Sequence, residues 1–153
     1  MPRITNTVFL IGDAERTFDW ITTPKYWLEW YPSVLNVSGA IERPMKLGDK
    51  IFERARIGNI VGENEWTVTE WERPRHVELT MPTTRLGDMR IVYDFVPKDG
   101  GTTFTRTLDF DTSGFPKQIA EQIEHQLQLD SNIAIERIQA MVEQLNSGSQ
   151  RGD

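Results

Sequence analysis

The chain contains no cysteine. That one absence removes disulfides, thiolate metal ligands and thiol nucleophiles together. Histidine is scarce as well, with only His76 and His125. Basic residues are outnumbered, 17 against 23 acidic, for a net charge of -6. Nucleic acid or an anionic membrane would each want a basic face, so neither is expected as the main partner. No uncharged stretch is long enough to cross a bilayer, and the opening "MPRITNTVFLIG" has no apolar run behind a basic head. The expectation is a cytoplasmic protein with no membrane insertion. Asn36-Val37-Ser38 matches a glycosylation sequon, which is chance where no secretory signal accompanies it. The closing "NSGSQRGD" reads as a frayed end, with 147–153 expected as a flexible tail.

What the sequence does have is aromatic residues, 10% of the chain. Six of them, Phe18, Trp20, Tyr26, Trp27, Trp30 and Tyr31, crowd into the single stretch "FDWITTPKYWLEWYPSV". With 153 residues the chain suffices for one domain with a full core, expected over 1–146. Residues 3–11 are rich in Thr, Val, Ile and Phe and stop at Gly12-Asp13, which predicts a strand and then a turn, with Asp13 capping a helix. Phe18 shares helical spacing with Ala14 and Ile21; Pro24 forces a break, and a second short helix, "KYWLEWY", ends near Pro32. From residue 34 onward the pattern becomes short β-branched segments divided by turn residues: 34–42, 49–57, 60–71, 76–81, 88–96 and 102–111. Such short connections predict an antiparallel meander. Its clearest hairpin is at "PKDGG". The last element, about 115–146, has no internal proline beyond Pro116 and predicts a long helix with Ile119, Ile123, Leu127, Ala134, Ile138, Met141 and Leu145 on one stripe. A helix so long and apolar on one side must lie against the sheet.

This order is that of an α+β helix-grip fold: a curved antiparallel β-sheet wrapped around a long C-terminal α-helix, with two short helices after strand 1. The blocks "VFLIGDAERTFDWITTPKYWLEWYPSV", "KLGDKIFE", "WTVTEWERPRHVEL" and "VYDFVPKDGGTTFTRTLDF" resemble those of the polyketide cyclase/dehydrase and lipid-transport family of the START-like (SRPBCC) superfamily. The resemblance spans nearly the whole chain and concerns its scaffold. The glycine-rich loop of the plant pathogenesis-related branch and the cysteine-histidine pattern of the Rieske branch are both missing. What the resemblance implies is a small hydrophobic ligand, lipid or polyketide-like, held inside the fold for binding or transport.

Shape argues the same way, since a bent sheet and a straight helix cannot touch along their full length, and a gap remains between them. Alternation predicts which side chains face it: Trp66 and Val68; Val77, Leu79 and Met81; Met89, Ile91, Tyr93 and Phe95; Phe104, Leu108 and Phe110. These residues can make either a tight core or an apolar pocket, and the resemblance favours the pocket. From the helix come Ile123 and Leu127. Polar residues with inward parity are more informative, because an interior charge must be paired or used. Arg106 shares the parity of Phe104 and Leu108; Asp130 interrupts the helix stripe; and either Glu53 or Arg54 must accompany a hydrophobe inward. With the Tyr93 hydroxyl they are expected to form the polar end of the cavity, unless Arg106 reaches the mouth and Asp130 meets a kink. In the aromatic cluster Trp20, Trp27 and Trp30 are expected to be buried, each worth about 2 to 3 kcal/mol, while Tyr26 and Tyr31 face the pocket mouth. A protein-binding surface is the other use of that cluster.

Chemistry is less well marked. His76 is out of phase with Val77 and Leu79, and His125 lies opposite its helix stripe, so both are expected outside. Glu121 and His125, one turn apart, are too few for a metal site, and no serine sits in a nucleophile motif. No cofactor and no metal are expected. Acid-base cyclase or dehydratase chemistry, with Asp130, Arg106, Tyr93 and Glu53 as candidate catalytic residues, remains the alternative to plain binding. A homodimer is left open.

Overall fold

The computed structural model describes residues 2–151, with side chains placed as far as Asn146. Strand β1 (Arg3–Ile11) leads through Asp13 into α1 (Ala14–Ile21). The Asp13 carboxylate accepts from the Arg16 amide at 2.9 Å, which satisfies one of the free N–H groups of the first turn. A single 3-10 turn, Pro24–Tyr26, precedes α2 (Trp27–Trp30). Six strands follow: β2 (Val34–Gly39), β3 (Lys50–Ile57), β4 (Ile60–Glu72), β5 (His76–Thr84), β6 (Gly87–Lys98) and β7 (Gly101–Asp109). They pair antiparallel in the order β1-β7-β6-β5-β4-β3-β2. The meander is therefore complete, and β1 joins it beyond the last strand. Asp99 and Gly100 form the two-residue turn of the β6–β7 hairpin, with Gly100 at φ +77.

Helix α3 (Lys117–Arg151) lies across β1 and α2 and reaches β3. This is the helix-grip arrangement. Register shifts at Val34/Asn36, Val68/Glu70 and Met81/Thr84 interrupt the ladders, and each adds local twist that curls the sheet around the helix. The buried stripe of α3 is Ile123, Leu127, Ala134, Ile138 and Val142. Ile119 is exposed instead, as are Lys117 and Gln118 beside it, and by the last turns the phase has moved from Met141 to Val142, leaving Met141 and Leu145 half-buried. Gly148 does not stop the helix, which continues to Arg151; Gly152 and Asp153 of the expected tail lie outside the described residues.

The core is packed at one end of this half-barrel. There α1 inserts Phe18 against Phe95 at 4.9 Å between ring centroids, and Phe95 meets Phe104 at 4.9 Å. Val68, Val77 and Leu79 are buried in the same core. Arg73 clamps the helix from outside, giving two hydrogen bonds of 2.8 Å to Asp19 from the β4–β5 loop. His76 is half-buried rather than exposed, because its ring nitrogens lie 2.7 Å from Asp94 and from Glu70 on the outer face. Trp20 also departs from expectation. It is half-exposed and stacks on Tyr26 at 5.4 Å instead of lying under the sheet.

Candidate functional site

At the opposite end from Phe18 the helix and sheet separate, leaving a chamber of about 600 Å³. That volume falls within the range of small-molecule sites. Its mouth is formed by the β3–β4 turn at Ile57 and Ile60, the β5–β6 turn at Arg85 and Leu86, and Phe115 ahead of α3. Arg85 holds its guanidinium 5.2 Å from the Phe115 ring centroid. The walls carry Trp66, Met81, Ile91, Leu108, Ile123 and Leu127, all buried. Trp27, Trp30 and Tyr31 of the aromatic stretch complete them.

Arg106 and Tyr93 lie directly opposite each other on β7 and β6 and form the floor. Arg106 is 2% exposed. Its Nη1 donates to Ser131 Oγ at 3.0 Å, and the guanidinium sits 4.5 Å from the centre of the Tyr31 ring. That is cation–π distance. Burial disfavours the Arg106 charge, but Tyr31 and Tyr93 more than compensate, and its pKa is raised. Burial pushes the Tyr93 phenol up to about 12, with the Arg106 charge and hydrogen bonding opposing. Tyr93 is a neutral hydroxyl at physiological pH. Below the floor, Tyr93 meets Phe104 at 5.7 Å, and the packed core begins.

Alternation left Glu53 and Arg54 equivalent; the structure separates them. Ile51 and Ala55 are buried, so Glu53 between them turns inward, and Phe52 and Arg54 are exposed. Asn64, its partner across β3–β4, donates to Glu53 Oε1 at 3.0 Å, and Trp66 Nε1 donates to the same oxygen at 2.8 Å. Desolvation is the largest influence on this carboxyl and raises its pKa, although both donors and the Arg106 charge act to lower it. A raised carboxyl pKa means that the folded protein keeps this proton to higher pH than the unfolded chain does. Its favourable contribution is therefore full below the unfolded value of 4.5 and is lost as pH rises through the folded value. Wild type should consequently melt progressively lower than Glu53→Gln as pH is raised from 4 to 8. A melting series over that range checks this, and parallel curves for the two proteins would refute it.

Several expected lining residues stand elsewhere. Val68, Leu79, Phe95 and Phe104 belong to the packed end, because α1 already fills the space there. Tyr26 is held against Trp20, away from the mouth. Tyr31 does line the chamber, but at the floor beside Arg106. Asp130 is buried at 5% exposure yet off the wall; Gln126, one turn earlier on α3, donates to it at 2.9 Å. Burial raises the Asp130 pKa, with Gln126 and Arg106 opposing. Ser131 is the α3 residue that bonds Arg106, one position beyond the one that parity singled out. Its signal was faint: a small polar residue four positions after Leu127, on the stripe. Among the described residues no three His, Asp or Glu side chains gather as metal ligands, and no helix is long and apolar enough to cross a membrane.

The polyketide cyclase/dehydrase and lipid transport family matches residues 1–143. Among solved structures, a Thermus thermophilus protein, TTHA0849, superposes with a TM-score of 0.76 at 11% identity, over 94% of this chain and 99% of its own. A START superfamily protein from Mycobacterium smegmatis gives 0.70 at 15% identity, over 94% and 98%. DynU16, from the dynemicin biosynthetic locus, gives 0.62 at 16%, over 92% of this chain and 47% of its own. At these identities the likeness is one of fold. No curated protein matches the sequence.

Proposed function

The chain belongs to the polyketide cyclase/dehydrase and lipid-transport family, and from that premise we propose that it encloses one small hydrophobic molecule, of lipid or polyketide-like character, between sheet and helix. The observation that carries this reading is the chamber itself: about 600 Å³, walled by aromatic and aliphatic side chains, with a few polar groups gathered on its floor. Apolar walls supply the burial energy, and sparse polar groups orient what is buried. The test is native mass spectrometry of freshly purified protein, followed by melting curves with fatty acids, sterols and aromatic polyketides. A stoichiometric adduct, or a melting temperature that rises with one class and saturates, is the expected result. A chamber that takes none of the three classes would end the proposal.

A second reading, cyclase or dehydratase chemistry, is favoured by one observation. Glu53, whose carboxyl is pushed upward by burial, shares the chamber with Tyr93 and Arg106. Closing a ring by an aldol step takes one proton from carbon and delivers one to the new alkoxide, and a carboxyl of raised pKa serves for both. Arg106 would hold the carbonyl oxygen as negative charge develops on it. Absorbance change with a polyketide, abolished in Glu53→Gln, distinguishes turnover from carriage.

A further inference from the structure

The chamber's polar groups are unequal in kind. Among buried side-chain atoms of the described residues that lack a hydrogen-bond partner, three belong to the chamber wall: Arg106 Nε, Trp27 Nε1 and Trp30 Nε1. All three are donors. Of the three carboxyl residues that line the chamber, Glu63 and Glu65 are exposed, and Glu53, which turns inward, already receives two donors on Oε1 from Asn64 and Trp66. Asp130, the other carboxyl within electrostatic reach of Arg106, accepts from Gln126. Neither forms an ion pair with Arg106. The Arg106 Nη1 hydrogen bond goes to a neutral hydroxyl, that of Ser131. A guanidinium keeps its charge at any physiological pH. Such a charge, 2% exposed, is normally matched by an opposite one; among the described residues no carboxylate forms that pair, although Glu53 and Asp130 both lie within reach of its field.

Building on the reading of the chamber as a ligand site, we infer that the guest brings the missing charge: its inner end carries an anionic oxygen, a carboxylate or an ionised enol or phenol, that docks on Arg106 between Tyr31 and Tyr93. The hydrophobic remainder of the guest extends along Trp66 and Met81 of the walls toward Leu86 at the mouth. A neutral sterol or hydrocarbon would leave the guanidinium without an ion-pair partner and would be taken poorly. The chamber thus selects amphiphilic acids, inserted acid end first.

The test uses pyrenebutyrate and its primary amide, pyrenebutyramide, titrated by fluorescence into the purified protein at pH 7. The amide keeps a carbonyl acceptor and similar bulk, so the comparison isolates the charge. The carboxylate is expected to bind about ten- to a hundredfold more tightly, the range of a charge-assisted hydrogen bond. In Arg106→Met the ratio should fall to near one, and Ala55→Trp, which fills the wall, should weaken both probes. Equal affinity of the two probes for wild type overturns the inference while leaving the chamber reading intact. A carboxylate preference that persists in Arg106→Met, or a carboxylate affinity that is undiminished in Ala55→Trp, overturns it too, because the charge would then be met elsewhere. Failure of both probes to bind overturns both readings. If Arg106→Met does not fold, the wild-type ratio decides alone.

Discussion

Truncating Phe104 to alanine should lower stability by about 3 to 5 kcal/mol and leave the ligand chamber working. Phe104 is fully buried. It touches two rings, Phe95 at 4.9 Å and Tyr93 at 5.7 Å, in the ladder that continues to Phe18. Removing it costs the transfer energy of the ring and opens a cavity that rigid β-sheet neighbours cannot collapse. In a domain of this size each kcal/mol corresponds to roughly 2 to 4 °C of melting temperature, so a drop on the order of 10 °C is expected. Urea unfolding of wild type and variant measures the loss, and fluorescence titration below the melting range measures binding. An affinity reduced more than tenfold, with stability hardly changed, would mean that Phe104 is a chamber residue after all.

Ala55→Trp is expected to do the reverse. Ala55 stands on the chamber wall, next to Glu53 in the strand face and opposite Gly62 on β4. The neighbouring surface is empty space rather than packed side chain, so an indole can enter it without displacing the core. Affinity for any enclosed guest should fall at least about tenfold, because the guest would then have to overpack the wall, at roughly 1 to 3 kcal/mol. Melting temperature in the absence of ligand should stay close to wild type. Unchanged affinity would place the guest outside the chamber. Together the two variants separate the packed end from the open end by opposite patterns of stability and binding.

Much of the scaffold can be read without coordinates. The hairpin at Asp99-Gly100, the helix break at Pro24 and the six successive strands follow from turn chemistry and period-two alternation, which are properties of neighbouring residues. Arg106 and Tyr93 were identifiable on the same grounds: each shares parity with buried hydrophobes, and the register of β6 with β7 sets them side by side. Glu53 was only half identified. Parity offered Glu53 or Arg54, and the choice fell to Ile51 and Ala55 being the buried pair on β3. Asp130 was chosen and Ser131 passed over although both are buried, because a charge on an apolar stripe is a louder signal than a small hydroxyl, which a helix interior also tolerates as filler.

Local covalent geometry was thus enough to say which side chains leave the inner face of the sheet, and family blocks were enough to say what kind of scaffold that face belongs to. It could not say whether an inward side chain meets another ring or open space. Phe104 and Leu108 have the same parity on the same strand, yet one is sealed beneath Tyr93 and the other lines the chamber. The difference comes from α1, which plugs one end of the curl with Phe18, and from α3, which at the other end lines open space with Ile123 and Leu127. Both depend on distances between surfaces far apart in the chain. Packing across such distances, rather than the pattern along any strand, is what leaves Arg106 buried with no ion-pair partner among the described residues.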